Sequence, residues 1–70
     1  MEFEFEGAAI VAVFSNRTID AVVDFFFKGD ERYWGKSICS TRIPYEALNQ
    51  ANVEKQFARL MNNEMPWQKG

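Results

Sequence analysis

The sequence predicts a small two-layer α+β domain, an antiparallel meander of three to four strands with a C-terminal helix packed on one face. Apolar and aromatic residues in the first 43 positions recur with the alternating spacing of strands. Turn-forming residues interrupt these runs, and after Ile43 the apolar spacing becomes that of an amphipathic helix. We therefore expect one domain over residues 1–70, with strands at about 2–14, 19–28 and 32–43, a helical region at 44–63 and a tail at 64–70.

The first strand region begins with acidic residues that alternate with two phenylalanines, which is typical of a half-buried strand. The acidic residues are Glu2, Glu4 and Glu6. Gly7 interrupts the pattern, and an apolar run from Ala8 to Phe14 follows it. Two interpretations stay open, one long strand with a bulge at Gly7 or two short strands.

The segment from Ile19 to Lys28 is ambiguous. Thr18 and Gly29 stand where a helix cap and a helix-ending glycine belong. Consecutive valines and three consecutive phenylalanines, however, favour a strand over a helix. We predict a strand, with the helix as the alternative.

A turn at Gly29-Asp30-Glu31 would join this strand to the next as a hairpin that pairs Lys28 with Arg32. That register places Phe26 opposite Trp34, Asp24 opposite Lys36 and Val22 opposite Ile38. It predicts a core face with Ile19, Ala21, Val23, Phe25, Phe27, Tyr33, Gly35, Ser37, Cys39, Thr41 and Ile43. The other face mixes aromatic and charged residues, which suits a contact surface.

The helical region divides into two parts. Pro44 favours a short helical turn that runs to about Gln50. After a break, an amphipathic helix is expected from Val53 to about Asn62, with Asn52 as its N-cap. Its apolar stripe is Val53, Phe57, Leu60 and Met61. In the tail, Trp67 is a candidate to fold back onto the core.

Composition argues against an enzyme. The 70 residues include no histidine and one cysteine, Cys39, so the commonest general base and the usual zinc ligands are missing. Asp30 and Glu31 lie together in an exposed turn rather than in a pocket that would separate their pKa values. No phosphate-binding glycine motif is present. We expect no catalytic residues, no cofactor and no metal.

Charge and hydropathy limit the classes of partner and the cellular location that we expect. The net charge of −2 does not show the basic excess that usually marks nucleic-acid binding. The longest apolar run has seven residues, Ala8 to Phe14, and no basic segment precedes an apolar one at the N-terminus. We expect a cytoplasmic protein that does not enter a membrane.

The aromatic and charged face is the feature of the sequence that indicates a function. Its candidate contact residues are Trp34, Phe26, Lys36 and Arg42, with the row Glu2, Glu4 and Glu6 as the second choice. The first hypothesis is a small protein-binding module that occupies a surface of a larger protein, such as an accessory or inhibitor protein of a bacterium or phage. The alternatives are a single-stranded nucleic-acid-binding or transcription-associated protein, and a homodimer that pairs through this face. Another reading leaves the face without function, covered by the first strand or by Trp67.

Overall fold

The computed structural model describes residues 1–62. The elements are β1 (Glu2–Phe5), β2 (Ala8–Asn16), β3 (Asp20–Phe27), β4 (Cys39–Pro44) and α1 (Gln50–Asn62), with one-turn 3₁₀ helices at Trp34–Lys36 and Tyr45–Ala47. The strands form an antiparallel sheet in the order β1-β2-β3-β4, and the helix follows it. This architecture confirms the predicted α+β meander. The predicted tail, including Trp67, lies outside the described residues.

Gly7 lies in a two-residue turn between β1 and β2 rather than in a bulge. Phe5 pairs with Ala8, and the two residues between them, Glu6 and Gly7, have φ values of 51° and 86°. Two central residues with positive φ are the signature of the tight hairpin turn that matches the twist of a sheet. Of the two open interpretations, the structure therefore has the two short strands.

The segment that was ambiguous is a strand, β3, from Asp20 to Phe27. Ile19 precedes it and is 74 % exposed, so its predicted place on the core face is wrong. The turn before β3 is held by Tyr45, whose hydroxyl accepts a hydrogen bond from the Arg17 amide at 2.9 Å and donates one to the Arg17 carbonyl. Arg17 Nε also lies 2.9 Å from Asp20 Oδ1.

The predicted hairpin register after β3 is wrong by four residues. Val22 pairs with Arg42 and Asp24 with Ser40, and residues 32–38 are not part of a strand. Backbone hydrogen bonds between residues three apart link Phe27, Asp30, Tyr33 and Lys36 in successive turns, and Gly29, with a φ of 101°, lies in the first of them. The chain leaves the sheet in this way and returns when the Ile38 amide donates to the Phe25 carbonyl at 2.7 Å.

The helix begins earlier than predicted. Asn49, not Asn52, is the N-cap, because its Oδ1 accepts a hydrogen bond from the Asn52 amide at 2.9 Å. The Asn52 side chain instead donates to the Ala47 carbonyl at 2.8 Å, which satisfies a group at the end of the preceding 3₁₀ turn. The expected break between the helical turn and the helix is present, but it lies at Leu48 and Asn49, earlier than predicted.

The core lies between α1 and one face of the sheet. Phe57 is at its centre, with its ring 4.8 Å from that of Phe25, 5.6 Å from Phe3 and 5.1 Å from Phe5. The predicted core residues Ala21, Val23, Phe25 and Ile43 are buried, whereas Tyr33 and Gly35 lie in the exposed loop between β3 and β4. The helix thus covers one face of the sheet and makes no contact with the opposite face.

Candidate protein-binding face

The face of the sheet opposite α1 is called the open face below. Because side chains alternate along each strand, the strand pairing fixes which residues share this face. Four rows cross it, namely Glu4–Ala9–Lys28, Glu2–Val11–Phe26, Val13–Asp24–Ser40 and Ser15–Val22–Arg42. The acidic residues of β1 and the aromatic residue of β3, which the sequence presented as separate candidates, therefore lie on one surface.

Trp34 is the most prominent exposed aromatic residue on the open face. The loop between β3 and β4 folds over the sheet and places the indole above Phe26, with ring centroids 5.8 Å apart and an angle of 56° between the planes. Phe26 is completely buried, whereas Trp34 remains 65 % exposed. Phe26 therefore supports the indole from below, and Trp34 is the ring that solvent can reach.

The middle of the open face is apolar. Val11, Val13 and Val22 are half-buried there, between the acidic strand β1 and the polar residues of β4. The sequence reasoning did not include these valines among the candidate contacts. The signal was available, since an uninterrupted apolar run such as residues 8–14 places apolar side chains on both faces of its strand.

The charged candidates surround this apolar centre at different places. Lys28 Nζ lies 3.2 Å from a carboxylate oxygen of Glu2, at one end of the sheet. Arg42 is exposed and pairs with Val22, which precedes Phe26 by four residues on β3. Arg42 and Phe26 are therefore separated by roughly 13 Å along the strand direction. Lys36 is exposed in the same 3₁₀ turn as Trp34 and does not lie opposite Asp24. The structure thus groups Trp34 and Lys36 and places Arg42 apart from them.

Glu6 does not continue the acidic row on the open face. It lies in the turn between β1 and β2, where its positive φ takes it out of the strand alternation. Only Glu2 and Glu4 of the three glutamates therefore contribute to the open face, and both are exposed at its edge.

Two titratable groups have shifted pKa values, the Cys39 thiol on the α1 side of β4 and the Glu31 carboxylate in the loop before Trp34. Burial raises the pKa of the Cys39 thiol, and the Asp24 carboxylate raises it further. The pKa of Glu31 is lowered because its carboxylate accepts hydrogen bonds from its own backbone amide and from that of Gly29, the latter at 2.7 Å. The first shift keeps Cys39 in its protonated, weakly nucleophilic form. The hydrogen bond from the Gly29 amide holds the Glu31 carboxylate in the turn that precedes Trp34.

Within residues 1–62, no group of three or more carboxylate or thiol side chains is arranged to hold a metal ion. Among the same residues, α1 is too short and too polar to cross a membrane. Searches of protein-family models, curated proteins and solved structures found no match to this chain.

Proposed function

We propose that this chain is a non-catalytic protein-binding module that acts by occupying a surface of a larger protein, with the open face as its contact surface. The observation that carries the proposal is Trp34, a large aromatic side chain that is 65 % exposed and is held in place by a buried ring beneath it. Tryptophan is enriched among the residues that contribute most to protein interfaces. A supported ring also loses little conformational freedom when it is covered.

The distribution of polarity on the open face fits the same role. Protein interfaces have an apolar centre and a polar rim. Here the half-buried valines lie inside a border formed by Glu2 and Glu4 on β1 and by Ser40 and Arg42 on β4. We expect Trp34 and the valines to supply most of the affinity. The charged border then sets the orientation of the partner and the rate of association.

The mixed charge of the open face favours a protein partner over a nucleic acid. Glu2, Glu4 and Asp24 separate the basic residues of this face, since Lys28 pairs with Glu2, Lys36 lies beside Trp34, and Arg42 is about 13 Å from the aromatic pair along the strand direction. Surfaces that bind single strands instead combine stacking rings with a basic groove. The carboxylates on this face would repel phosphate groups.

The size of the open face predicts the class of complex. Three spacings between strands make it about 14 Å wide, and the four rows extend it about 20 Å along the strands. That footprint is smaller than the roughly 800 Å² per partner that standard interfaces bury. We therefore expect the loop at 28–38 or an edge of the sheet to add to the contact.

The test is affinity capture with the tagged full chain, with and without nuclease, in three forms. These are the unchanged protein, Trp34→Ala, and the control Tyr33→Ala, which removes a neighbouring exposed aromatic ring. We expect a stoichiometric protein partner that survives nuclease, persists with Tyr33→Ala and is lost with Trp34→Ala. Circular dichroism must first show that both variants are folded.

Other outcomes would contradict the proposal. Capture that disappears with nuclease would indicate a nucleic-acid-binding protein, as would affinity for single-stranded oligonucleotides that falls with salt at a slope near −0.7 per phosphate neutralised. Light scattering that shows a dimer at every concentration, together with a monomeric Trp34→Ala variant, would assign the face to a homodimer. A folded Trp34→Ala variant that keeps its partner would exclude Trp34 as the anchor.

A further inference from the structure

An apolar groove lies at the end of the sheet where β1 ends, on the same side as α1, and is called the end groove below. Its volume is about 230 Å³, and its walls are mainly the side chains of Phe5, Ile10, Phe27, Ile38, Phe57 and Met61. Pockets for small-molecule ligands usually measure about 300–1,000 Å³, whereas a cavity of about 150 Å³ accommodates benzene. The end groove therefore has the size for one large apolar side chain.

Acidic residues lie along β1 and in the turn that follows it, next to the end groove. Among residues 1–62, Glu6 is the one charged residue in the groove wall, and Glu4 and Glu2 extend the negative charge along β1 on the opposite, open face. Among residues 1–62, no basic side chain comes within 4.0 Å of a Glu4 or Glu6 carboxylate oxygen. The ion pair between Lys28 and Glu2 shows that a lysine fits against this row.

The outer edge of β1 has hydrogen-bonding groups that the sheet does not use. Met1 and Ala12 exchange two backbone hydrogen bonds, with N–O distances of 3.1 and 2.7 Å. In an antiparallel ladder such pairs alternate, so Phe3 and Phe5 also direct their backbone groups towards β2. The amide and carbonyl groups of Glu2 and Glu4 therefore point away from the sheet. Within the described part of the chain, β1 has β2 as its single neighbour.

We propose that a protein partner adds an extended segment of alternating basic and apolar residues to the free edge of β1. The backbone of that segment pairs with the Glu2 and Glu4 groups, as in other cases of strand addition to a sheet edge. On the open face its basic side chains meet the carboxylates of Glu2 and Glu4. On the other face its apolar side chains follow Phe5, and one of them enters the end groove.

The same charges select against a second copy of this chain. Antiparallel pairing of β1 with its own copy would bring glutamates together across the new strand pair, and like charges opposite each other are destabilising. Acidic side chains on an edge strand thus block self-association while they attract a basic segment. The inference rests on the proposed protein-binding function and adds the chemistry of the partner.

The probe for the test is a short capped peptide of alternating lysine and leucine, and a glutamate–leucine peptide of the same length is its control. NMR of the full ¹⁵N-labelled chain at low salt reports binding. We expect the lysine peptide to slow the exchange of the Glu2 and Glu4 amides and to shift the resonances of Ile10 and Met61. The glutamate peptide is expected to leave the spectrum unchanged.

Variants of the chain separate the parts of the proposal. Glu2→Gln and Glu4→Gln are each expected to weaken peptide binding about two- to fivefold, while the exposed control Glu46→Gln leaves it unchanged. Met61→Trp places a larger side chain at the exposed rim of the end groove and is expected to reduce binding further. Trp34→Ala is expected to have no effect on the peptide.

Three results would overturn the proposal. They are equal binding of the two peptides, absence of protection at Glu2 and Glu4 in the presence of the lysine peptide, and binding that emerges only in a Trp67→Ala variant. The last result would assign the end groove to the chain's own C-terminal segment. Because the proposed function is tested through Trp34 and a captured partner, it can stand when the peptide result fails.

Discussion

Phe57 joins α1 to the sheet, and its replacement by alanine tests the description of the core. Its side chain is 1 % exposed and contacts three phenylalanine rings at 4.8–5.6 Å. Truncation of a buried phenylalanine to alanine costs about 3–5 kcal/mol. At about 0.05–0.15 kcal/mol per residue, a chain of 70 residues has a free energy of unfolding of roughly 3.5–10 kcal/mol. Phe57→Ala should therefore remove about 30 % or more of the stability.

Urea unfolding followed by circular dichroism measures this loss. With a denaturant slope of about 1 kcal/mol per molar, the midpoint for Phe57→Ala should fall by about 3 M or more, or the variant should be unfolded in water. Phe57→Leu keeps an apolar side chain but loses the ring contacts, so we expect a smaller loss of about 1–2 kcal/mol.

Phe27→Ala is the matched control, because Phe27 lies on the same side of the sheet but is 50 % exposed. Its cost should be less than half that of Phe57→Ala, since about half of its surface is already in water. Equal midpoints for the two alanine variants would refute the assignment of Phe57 to the centre of the core.

Three further predictions concern single interactions. Tyr45→Phe should lower the free energy of unfolding by about 1–2 kcal/mol although Tyr45 is exposed, because the hydroxyl bonds the backbone of Arg17 twice; a change within error in urea melts would contradict this. Asn49→Ala should cost about 1 kcal/mol through loss of the helix N-cap, whereas Asn49→Asp should retain stability in the same assay. The Cys39 thiol should be alkylated more slowly than a free cysteine near neutral pH, because burial and Asp24 raise its pKa. Its rate should rise with pH and should be higher in Asp24→Asn; alkylation of Cys39 as fast as a free thiol would refute the shift.

The sequence determined the strand faces correctly even where it predicted the wrong register. The β4 strand is displaced by four residues relative to the predicted hairpin, and an even displacement leaves each side chain on its original face. Arg42 therefore lies on the face where it was expected, and Ile43 is buried as predicted. The alternation of residue types determines the face, because it is a local property of an extended chain.

The path of residues 28–38 depended on tertiary structure. Turn residues in this segment are compatible with a tight hairpin and also with the successive turns that are observed. The second arrangement packs Trp34 onto Phe26 from above the sheet instead of pairing the two residues across strands. Phe26 is completely buried in this arrangement, which local sequence preferences do not encode.

The relation between the candidate residues was likewise decided by the fold. The sequence by itself determined the α+β class, the strand character of residues 20–27 and the exposed, alternating glutamates of β1. Strand pairing then placed Glu2 in one row with Val11 and Phe26, and so joined the acidic and aromatic residues on a single face. The physical reason is that the alternation of polar and apolar residues is a property of each strand's own sequence. The order and register of the strands depend instead on contacts between residues that are distant in the chain.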